Sequence, residues 1–246
     1  MSDRIGQRHL LGMLTPSSNT VLEPVTAAML AQLPDTTAHF ARFRVTEISQ
    51  ARTRGGQFDL EPMLAAADLL ADARVQSICW NGTSAGWQGF DADERLCQAI
   101  TARTGIPACS SVLALNEIFG LTQVERFGLV TPYLDEIQAP IIANYRAAGF
   151  QCVAERHLGD CGNYSFSEYS EALLARMCRE VAVARPDAIT VFCTNLRAAP
   201  VAAALEEELG IPIYDTVATA VWAAMRQAGA QPSRIRGWGR LFQEVA

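Results

Sequence analysis

The sequence predicts an α/β protein of two similar halves, each a parallel sheet with helices, that face each other across a cleft through an approximate two-fold axis. Three short segments that recur in the same order predict this repeat. They are GMLTP at 12–16 with GLVTP at 128–132, GTS at 82–84 with CTN at 193–195, and TGIPA at 104–108 with LGIPI at 209–213. With 246 residues, the chain is long enough for two such units.

Short apolar runs predict the strands, and longer segments with helical periodicity predict the helices. In the first half we expect strands at 9–14, 38–45, 75–80 and 106–109, and helices at 21–33, 60–73, 91–104 and 111–120. In the second half we expect strands at 126–130, 152–157, 189–193 and 211–214, and helices at 137–148, 166–184, 200–209 and 215–229. The predicted domains are 1–118 and 119–229, with a tail, 230–246, that packs back on the first domain. A mobile connection is expected at 46–56.

The strand at 189–193 organises the second half because it ends on Cys193. Ligands of open α/β sheets bind at the carboxyl ends of strands, so Cys193 is expected in the cleft. The amides of Thr194 and Asn195 are expected at the N-terminus of the next helix, which lowers the pKa of a thiol and offers donors to an anion. A buried structural cysteine is the alternative. The equivalent position of the first half is Gly82, which has no side chain.

Several other residues are placed near the cleft by the same repeat. The polar loop at 15–20 either caps the following helix or both caps it and contacts a ligand. Tyr133 follows the equivalent strand of the second half and brings a phenolic donor. Asn163 lies in a turn-prone linker that could bend toward the cleft. Trp87 and Phe90 either wall a pocket or belong to the core.

Composition excludes several classes of function. The formal net charge of −6 opposes a nucleic-acid or anionic-membrane surface, and no apolar run approaches the length of a membrane span. The N-terminus lacks the apolar core of a signal peptide, and the seven cysteines have no close pairing, so we expect reduced thiols in a cytoplasmic protein. No zinc-ligand spacing and no nucleotide-binding glycine motif occurs, so neither a zinc site nor a nucleotide-binding loop is expected. His157 could act as a base beside the thiol, but the repeat gives no reason to place it there.

The combination of short motifs is similar to that of a known superfamily. The motifs are PSSNT at 16–20, GTS at 82–84, TPY at 131–133, CTNL at 193–196 and GWGRLF at 237–242. Together, and in order along the chain, they resemble the aspartate/glutamate racemase superfamily, in the branch of maleate cis-trans isomerases and arylmalonate decarboxylases. Proteins of ectoine-utilisation clusters that are often labelled maleate isomerase-like also look similar. The resemblance implies two α/β halves and cofactor-independent chemistry on a small dicarboxylate.

The resemblance also implies roles for individual residues. Cys193 matches the catalytic cysteine that donates a proton in the decarboxylases. Donors to a substrate carboxylate are matched by Thr83, Ser84, Tyr133 and the amide of Thr194. The other implied substrate-binding residues are Pro16, Ser17, Ser18, Asn19, Gly82, Asn163 and Asn195. At the position of Gly82, racemases and maleate isomerases have their first cysteine, whereas arylmalonate decarboxylases have glycine.

A single thiol favours one reaction over the others. We predict a cofactor-free lyase that decarboxylates a small, disubstituted malonate-type dicarboxylate through an enediolate, which Cys193 protonates on one face. A maleate cis-trans isomerase is the alternative, and a non-catalytic carboxylate-binding protein is the second alternative. The apolar tail and the habit of the family also suggest a homo-oligomer.

Overall fold

The computed structural model describes residue 6 and residues 8–245. The strands are β1 (His9–Pro16), β2 (Thr36–Phe43), β3 (Ser77–Trp80), β4 (Ala108–Ser110), β5 (Arg126–Thr131), β6 (Gln151–His157), β7 (Ala188–Val191) and β8 (Ile213–Asp215). The helices are α1 (Leu22–Leu30), α2 (Gln50–Arg54), α3 (Leu60–Asp72), α4 (Ala85–Gln88), α5 (Phe90–Thr104), α6 (Ser111–Leu121), α7 (Asp135–Ala147), α8 (Glu171–Ala182), α9 (Ala199–Leu209), α10 (Thr216–Gln227) and α11 (Leu241–Glu244). Short 3₁₀ turns lie at Ser165–Glu168 and Pro232–Arg234.

The strands form two parallel sheets with the same order, β2-β1-β3-β4 and β6-β5-β7-β8. In each sheet the chain moves to the other side of the first strand after the second one. At this reversal the loops that follow neighbouring strands diverge and leave a crevice at the carboxyl ends. The predicted fold class, two equivalent parallel α/β halves, is therefore confirmed. The loops after β1, β3, β5 and β7 are the ones that border the two crevices.

The last helix of each half packs on the opposite half. In α10, the carbonyl of Ala224 accepts a hydrogen bond of 2.9 Å from the hydroxyl of Ser77 in β3. In α6, the ring of Phe119 packs against Phe127 of β5 with 5.5 Å between centroids. These buried contacts join the two sheets in one continuous core. The division into domains 1–118 and 119–229 therefore remains a proposal that is based on the sequence repeat. The helices exchanged between the halves keep the two crevices facing each other.

The tail that follows α10 contacts residues of both proposed domains. Arg234 makes a bidentate ion pair with Asp35, with N–O distances of 2.9 and 3.0 Å. The amide of Arg240 donates to the carboxylate of Glu206 at 2.7 Å. The carbonyl of Val245 accepts from the indole N–H of Trp222.

Two segments differ from the sequence prediction in form. The helix expected at 166–184 is divided, because the hydroxyl of Ser170 accepts from the amide of Leu173 and starts α8 at Glu171. The connection at 46–56 contains α2, which begins where Ser49 accepts from the amide of Arg52. This connection lies over the cleft described below.

The cysteines, all within the described residues, are free thiols. Among residue 6 and residues 8–245, no group of three or more His, Cys, Asp or Glu side chains is arranged to hold a metal ion. None of the helices in this part of the chain combines the length and hydropathy that crossing a bilayer requires.

The glycine at the start of the first repeat predicts a matched pair of stability effects. A Cβ on Gly12 would lie 2.9 Å from the carbonyl oxygen of Ser77 in the neighbouring strand, so Gly12→Ala should cost about 1–3 kcal/mol of unfolding free energy. Gly120→Ala, in α6 with nothing within 4 Å of the new methyl, should be neutral or stabilise by about 0.5–1 kcal/mol. Urea unfolding of both variants checks this, and equal midpoints would contradict it.

Candidate active site

A cavity lies where the carboxyl ends of the two sheets meet. Its walls contain eight of the twelve residues that the sequence proposed. These are Pro16, Gly82, Thr83, Ser84, Tyr133, Asn163, Cys193 and Thr194. The other four, Ser17, Ser18, Asn19 and Asn195, lie behind the walls. The structure therefore brings most of the proposed residues to one place and gives the remaining four a supporting position.

Cys193 lies two residues beyond the end of β7 and is 3% exposed. Burial raises the pKa of its thiol from an ordinary 9.0 to about 12, although the amide of Asn195, 3.5 Å from Sγ, and the hydroxyl of Tyr133 favour the thiolate. The sequence-based expectation of a lowered pKa is therefore wrong. Because α9 begins only at Ala199, the thiol is not at a helix N-terminus. Desolvation therefore has the largest effect on the pKa of Cys193. The neutral thiol is suited to donate a proton.

A hydroxyl pair from the two halves crosses the cavity. The hydroxyls of Thr83 and Tyr133 are 2.6 Å apart and both side chains are buried. Burial also raises the pKa of Tyr133, so its phenol is neutral at physiological pH. Together with Ser84, these side chains can donate hydrogen bonds to a carboxylate oxygen without adding charge to the cavity.

The side of the cavity at Gly82 is filled by an aromatic ring. A Cβ on Gly82 would lie only 2.0 Å from Cζ2 of Trp80, so a side chain at this position and the indole exclude one another. Trp80 is 1% exposed and packs against Phe43 and Phe58, with centroids 5.2 and 6.4 Å apart. The position equivalent to Cys193 therefore carries no acid–base group, because an indole N–H is a donor only.

The two buried asparagines behind the walls tie the halves together. Asn19 accepts from the amides of Val21 and Leu22 at the start of α1, and its Nδ2 donates to the carbonyl of Thr194 at 3.1 Å. Asn195 accepts from the amide of Val21 and donates to the carbonyl of Asn163. Their side chains are thus engaged in protein contacts, which differs from the direct substrate contact that the resemblance implied.

Ser17 and Ser18 do not line the cavity. They bind the segment that covers it, residues 45–58, which we call the strap. Ser17 and Ser18 both donate to the carbonyl of Val45, at 3.2 and 2.7 Å. The amide of Asn163, from the other half, donates to the hydroxyl of Ser18 at 2.8 Å. The strap, residues 45–58, is also fixed by the amide of Ile48, which donates to the carbonyl of Cys161 at 2.7 Å. Both halves therefore contribute to closing the cleft.

The strap and β3 supply cavity residues that the sequence did not propose as site residues. They are Val45, Ile48, Phe58 and Trp80. Trp87, for which a pocket wall and the core were both open, lines the cavity, whereas Phe90 packs on Tyr145 in the core. The sequence feature that could have indicated this part of the cavity wall is the presence of apolar residues in the otherwise polar connection at 45–58.

Of the residues that the structure describes, 6 and 8–245, those that line the cavity include no Lys, Arg, His, Asp or Glu. His157 instead contacts the carboxylates of Glu155 and Asp135, each at 2.8 Å. Burial alone would lower the pKa of His157, but these two acidic partners raise it overall. The cavity therefore offers one neutral thiol, hydroxyl and amide donors, and apolar walls.

Comparison with known proteins assigns the family. A family model described as arylmalonate decarboxylase matches residues 11–242. The chain belongs to the arylmalonate decarboxylase family. This confirms the predicted resemblance to the branch of arylmalonate decarboxylases and maleate isomerases within the aspartate/glutamate racemase superfamily.

Relatives in this branch match nearly the whole chain. The arylmalonate decarboxylase of Bordetella bronchiseptica is 25% identical and is aligned over 95% of this chain and 96% of its own length. A maleate isomerase of Pseudomonas putida is 24% identical, over 96% of this chain and 98% of its own. The crystal structure of the maleate isomerase Iso from Pseudomonas putida S16 has a TM-score of 0.85 at 21% identity and covers 98% of this chain and 100% of that one. Unliganded arylmalonate decarboxylase has a TM-score of 0.79 at 22% identity, with 97% and 100% covered.

The raised pKa of Cys193 predicts how fast the thiol is alkylated as pH changes. A pKa of about 12 in place of 9.0 lowers the thiolate fraction near neutral pH about a thousandfold. In the folded protein, alkylation of the Cys193 peptide by iodoacetamide should still rise about tenfold per pH unit from about pH 8 to about pH 10. In urea the same peptide should approach a plateau near the ordinary pKa. Peptide-resolved mass spectrometry measures both, and a plateau near 9.0 in the folded protein would contradict the prediction.

Proposed function

We propose that this protein is a cofactor-independent lyase that decarboxylates a small, disubstituted malonate-type dicarboxylate. The observation that carries the proposal is the asymmetry of the cavity: the buried, neutral thiol of Cys193 faces a wall in which Gly82 is covered by the indole of Trp80. One side can deliver a proton and the other cannot. Membership of a family of enzymes supports a catalytic role.

The proposed reaction needs one carboxylate to be held and the other to leave. Hydroxyls of Thr83, Ser84 and Tyr133 and the amide of Thr194 hold the retained carboxylate and stabilise the charge that develops on it. The carboxylate that leaves lies against the apolar walls formed by Ile48 and its neighbours. There its charge is poorly solvated, and loss of CO₂ shifts the charge onto the oxygens of the retained carboxylate, as an enediolate that the donors stabilise.

Protonation completes the reaction. When the bond from the α-carbon to the leaving carboxylate breaks, its electron pair forms the enediolate, and the S–H of Cys193 then gives its proton to the α-carbon. The thiolate that remains has a pKa of about 12 and regains a proton from solvent. One turnover thus releases one CO₂ and takes up one proton. Because the thiol lies on one face, the product has one configuration.

Isomerisation of maleate makes a different demand on the thiol. Rotation about the double bond requires prior addition of a nucleophile, and the nucleophilic form of cysteine is the thiolate. A cysteine mutant of the maleate cis-trans isomerase from Nocardia farcinica carries a covalently bound succinylcysteine intermediate, which is chemistry of this kind. The raised pKa of Cys193 and the covered Gly82 favour proton donation over such an addition.

The proposal predicts CO₂ release that depends on one cysteine. Purified protein without added metal or cofactor should release CO₂ from disubstituted malonates, assayed with both α-methyl-α-phenylmalonate and α-acetamido-α-methylmalonate. Cys193→Ser should lower kcat by about 10²–10⁴, because it removes the proton donor. Cys152→Ser, a half-buried cysteine of β6 outside the cavity, is the matched control and should retain activity.

The same assay distinguishes the alternatives. Conversion of maleate to fumarate without CO₂ release from any malonate would support the isomerase and contradict the lyase. Thermal stabilisation by dicarboxylates without turnover would support a non-catalytic carboxylate-binding protein. Equal loss of activity in both cysteine variants would contradict the assignment of the proton donor.

A further inference from the structure

The indole N–H of Trp80 is a buried donor without a partner. Nε1 makes no hydrogen bond to the described residues, although Trp80 is 1% exposed and lines the cavity. The other fully buried tryptophan, Trp222, donates to the carbonyl of Val245 at 3.1 Å. Half-buried Trp87 donates to the hydroxyl of Thr53 at 3.2 Å. Because buried donors are nearly always paired, an unpaired donor in a residue of the cavity wall is available to an oxygen of a ligand.

The position of this N–H edge relative to Gly82 defines where such a partner would bind. A Cβ on Gly82 would lie 2.0 Å from Cζ2 of Trp80 and 2.5 Å from Cε2, the carbon that bears Nε1. The benzo edge of the indole therefore lies against Gly82, and Nε1, bonded to Cε2, lies next to this contact. Glycine at position 82 is what allows the indole to reach this place.

We propose that Trp80 is a specificity-determining residue that donates its Nε1–H to an oxygen of the ligand's α-substituent. This inference rests on the proposed decarboxylation. Hydroxyls from Thr83, Ser84 and Tyr133 already serve the retained carboxylate. A donor to the carboxylate that leaves would stabilise the ground state and oppose the loss of CO₂. The remaining part of the ligand that can use the indole donor is the substituent.

The substrate class that follows is a malonate whose α-substituent carries a carbonyl or hydroxyl oxygen near the α-carbon. A purely hydrocarbon substituent would leave the N–H desolvated and unpaired, which makes the cavity discriminate against it. The aromatic neighbours of Trp80, Phe43 and Phe58, fix the ring so that it cannot turn to find another partner.

Two probes of matched shape test this proposal. They are α-acetamido-α-methylmalonate and α-methyl-α-(2-methylallyl)malonate, in which methylene groups replace both the carbonyl oxygen and the amide N–H. Binding is measured on Cys193→Ser, so that it does not depend on turnover. The acetamido probe should bind about ten- to a hundredfold more tightly than its hydrocarbon isostere, and Trp80→Phe should abolish this preference. Trp87→Phe, which removes a different indole of the cavity, is the control and should keep it.

The indole resonances of the otherwise unmutated Cys193→Ser protein give a second readout, which stands even if Trp80→Phe fails to fold. The chain has four tryptophans. In ¹⁵N-labelled protein, the indole proton of Trp80 should move downfield with the acetamido probe and stay in place with the hydrocarbon probe, while that of Trp222 should move with neither. A Trp80 resonance that stays in place with the acetamido probe overturns the proposal, as does an equal shift with both probes, which would assign the donor to a carboxylate. Absence of CO₂ release with the expected shift would instead contradict the proposed function alone.

Discussion

The contact between the indole of Trp80 and the bare backbone of Gly82 determines what this cavity can do. A fold built from two equivalent halves presents two equivalent positions to a ligand, and here they differ completely. One carries a buried thiol, and the other is covered by a ring that lies within 2.0 Å of where a side chain would begin. Because the ring and a side chain cannot occupy the same space, the asymmetry is a steric property of the pair rather than of one residue.

The rest of the structure keeps the two unlike positions opposed. The helices exchanged between the halves give the sheets a common core, and Asn19 and Asn195 fix the loops that follow β1 and β7 from behind. The strap at 45–58 covers the cavity and forms hydrogen bonds with both halves. In this closed, uncharged environment the thiol is neutral, and hydroxyl donors act on a carboxylate without competition from water. The proposed protonation thus requires a cavity that is both rigid and weakly polar.

The internal repeat was sufficient to predict the fold and the loops that form the cavity. The equivalence of the two sheets and the place of Cys193 follow from it, because equivalent segments of an α/β repeat end at equivalent edges. The pKa of Cys193 did not follow, since it depends on how far α9 begins from the thiol and on how completely the cavity is desolvated. Asn19 and Asn195 were assigned to the right loops, but their partners across the interface could not be read from spacing.

Trp80 and the strap were not recognised as parts of the site. A tryptophan at the end of a buried strand is indistinguishable from a core residue in the sequence, and only its packing against Gly82 gives it a place in the cavity. Likewise, Ile48 and Phe58 lie in a connection whose path over the cleft depends on contacts with residues more than a hundred positions away. Local pattern carries no information about such contacts.

Decarboxylation in deuterium oxide tests the one-sided cavity most directly. A malonate with two different α-substituents should yield a product with a single deuterium at the α-carbon and one configuration, because one thiol serves one face. Product of both configurations would show that an acid–base group acts on the side of Gly82 and would contradict this account.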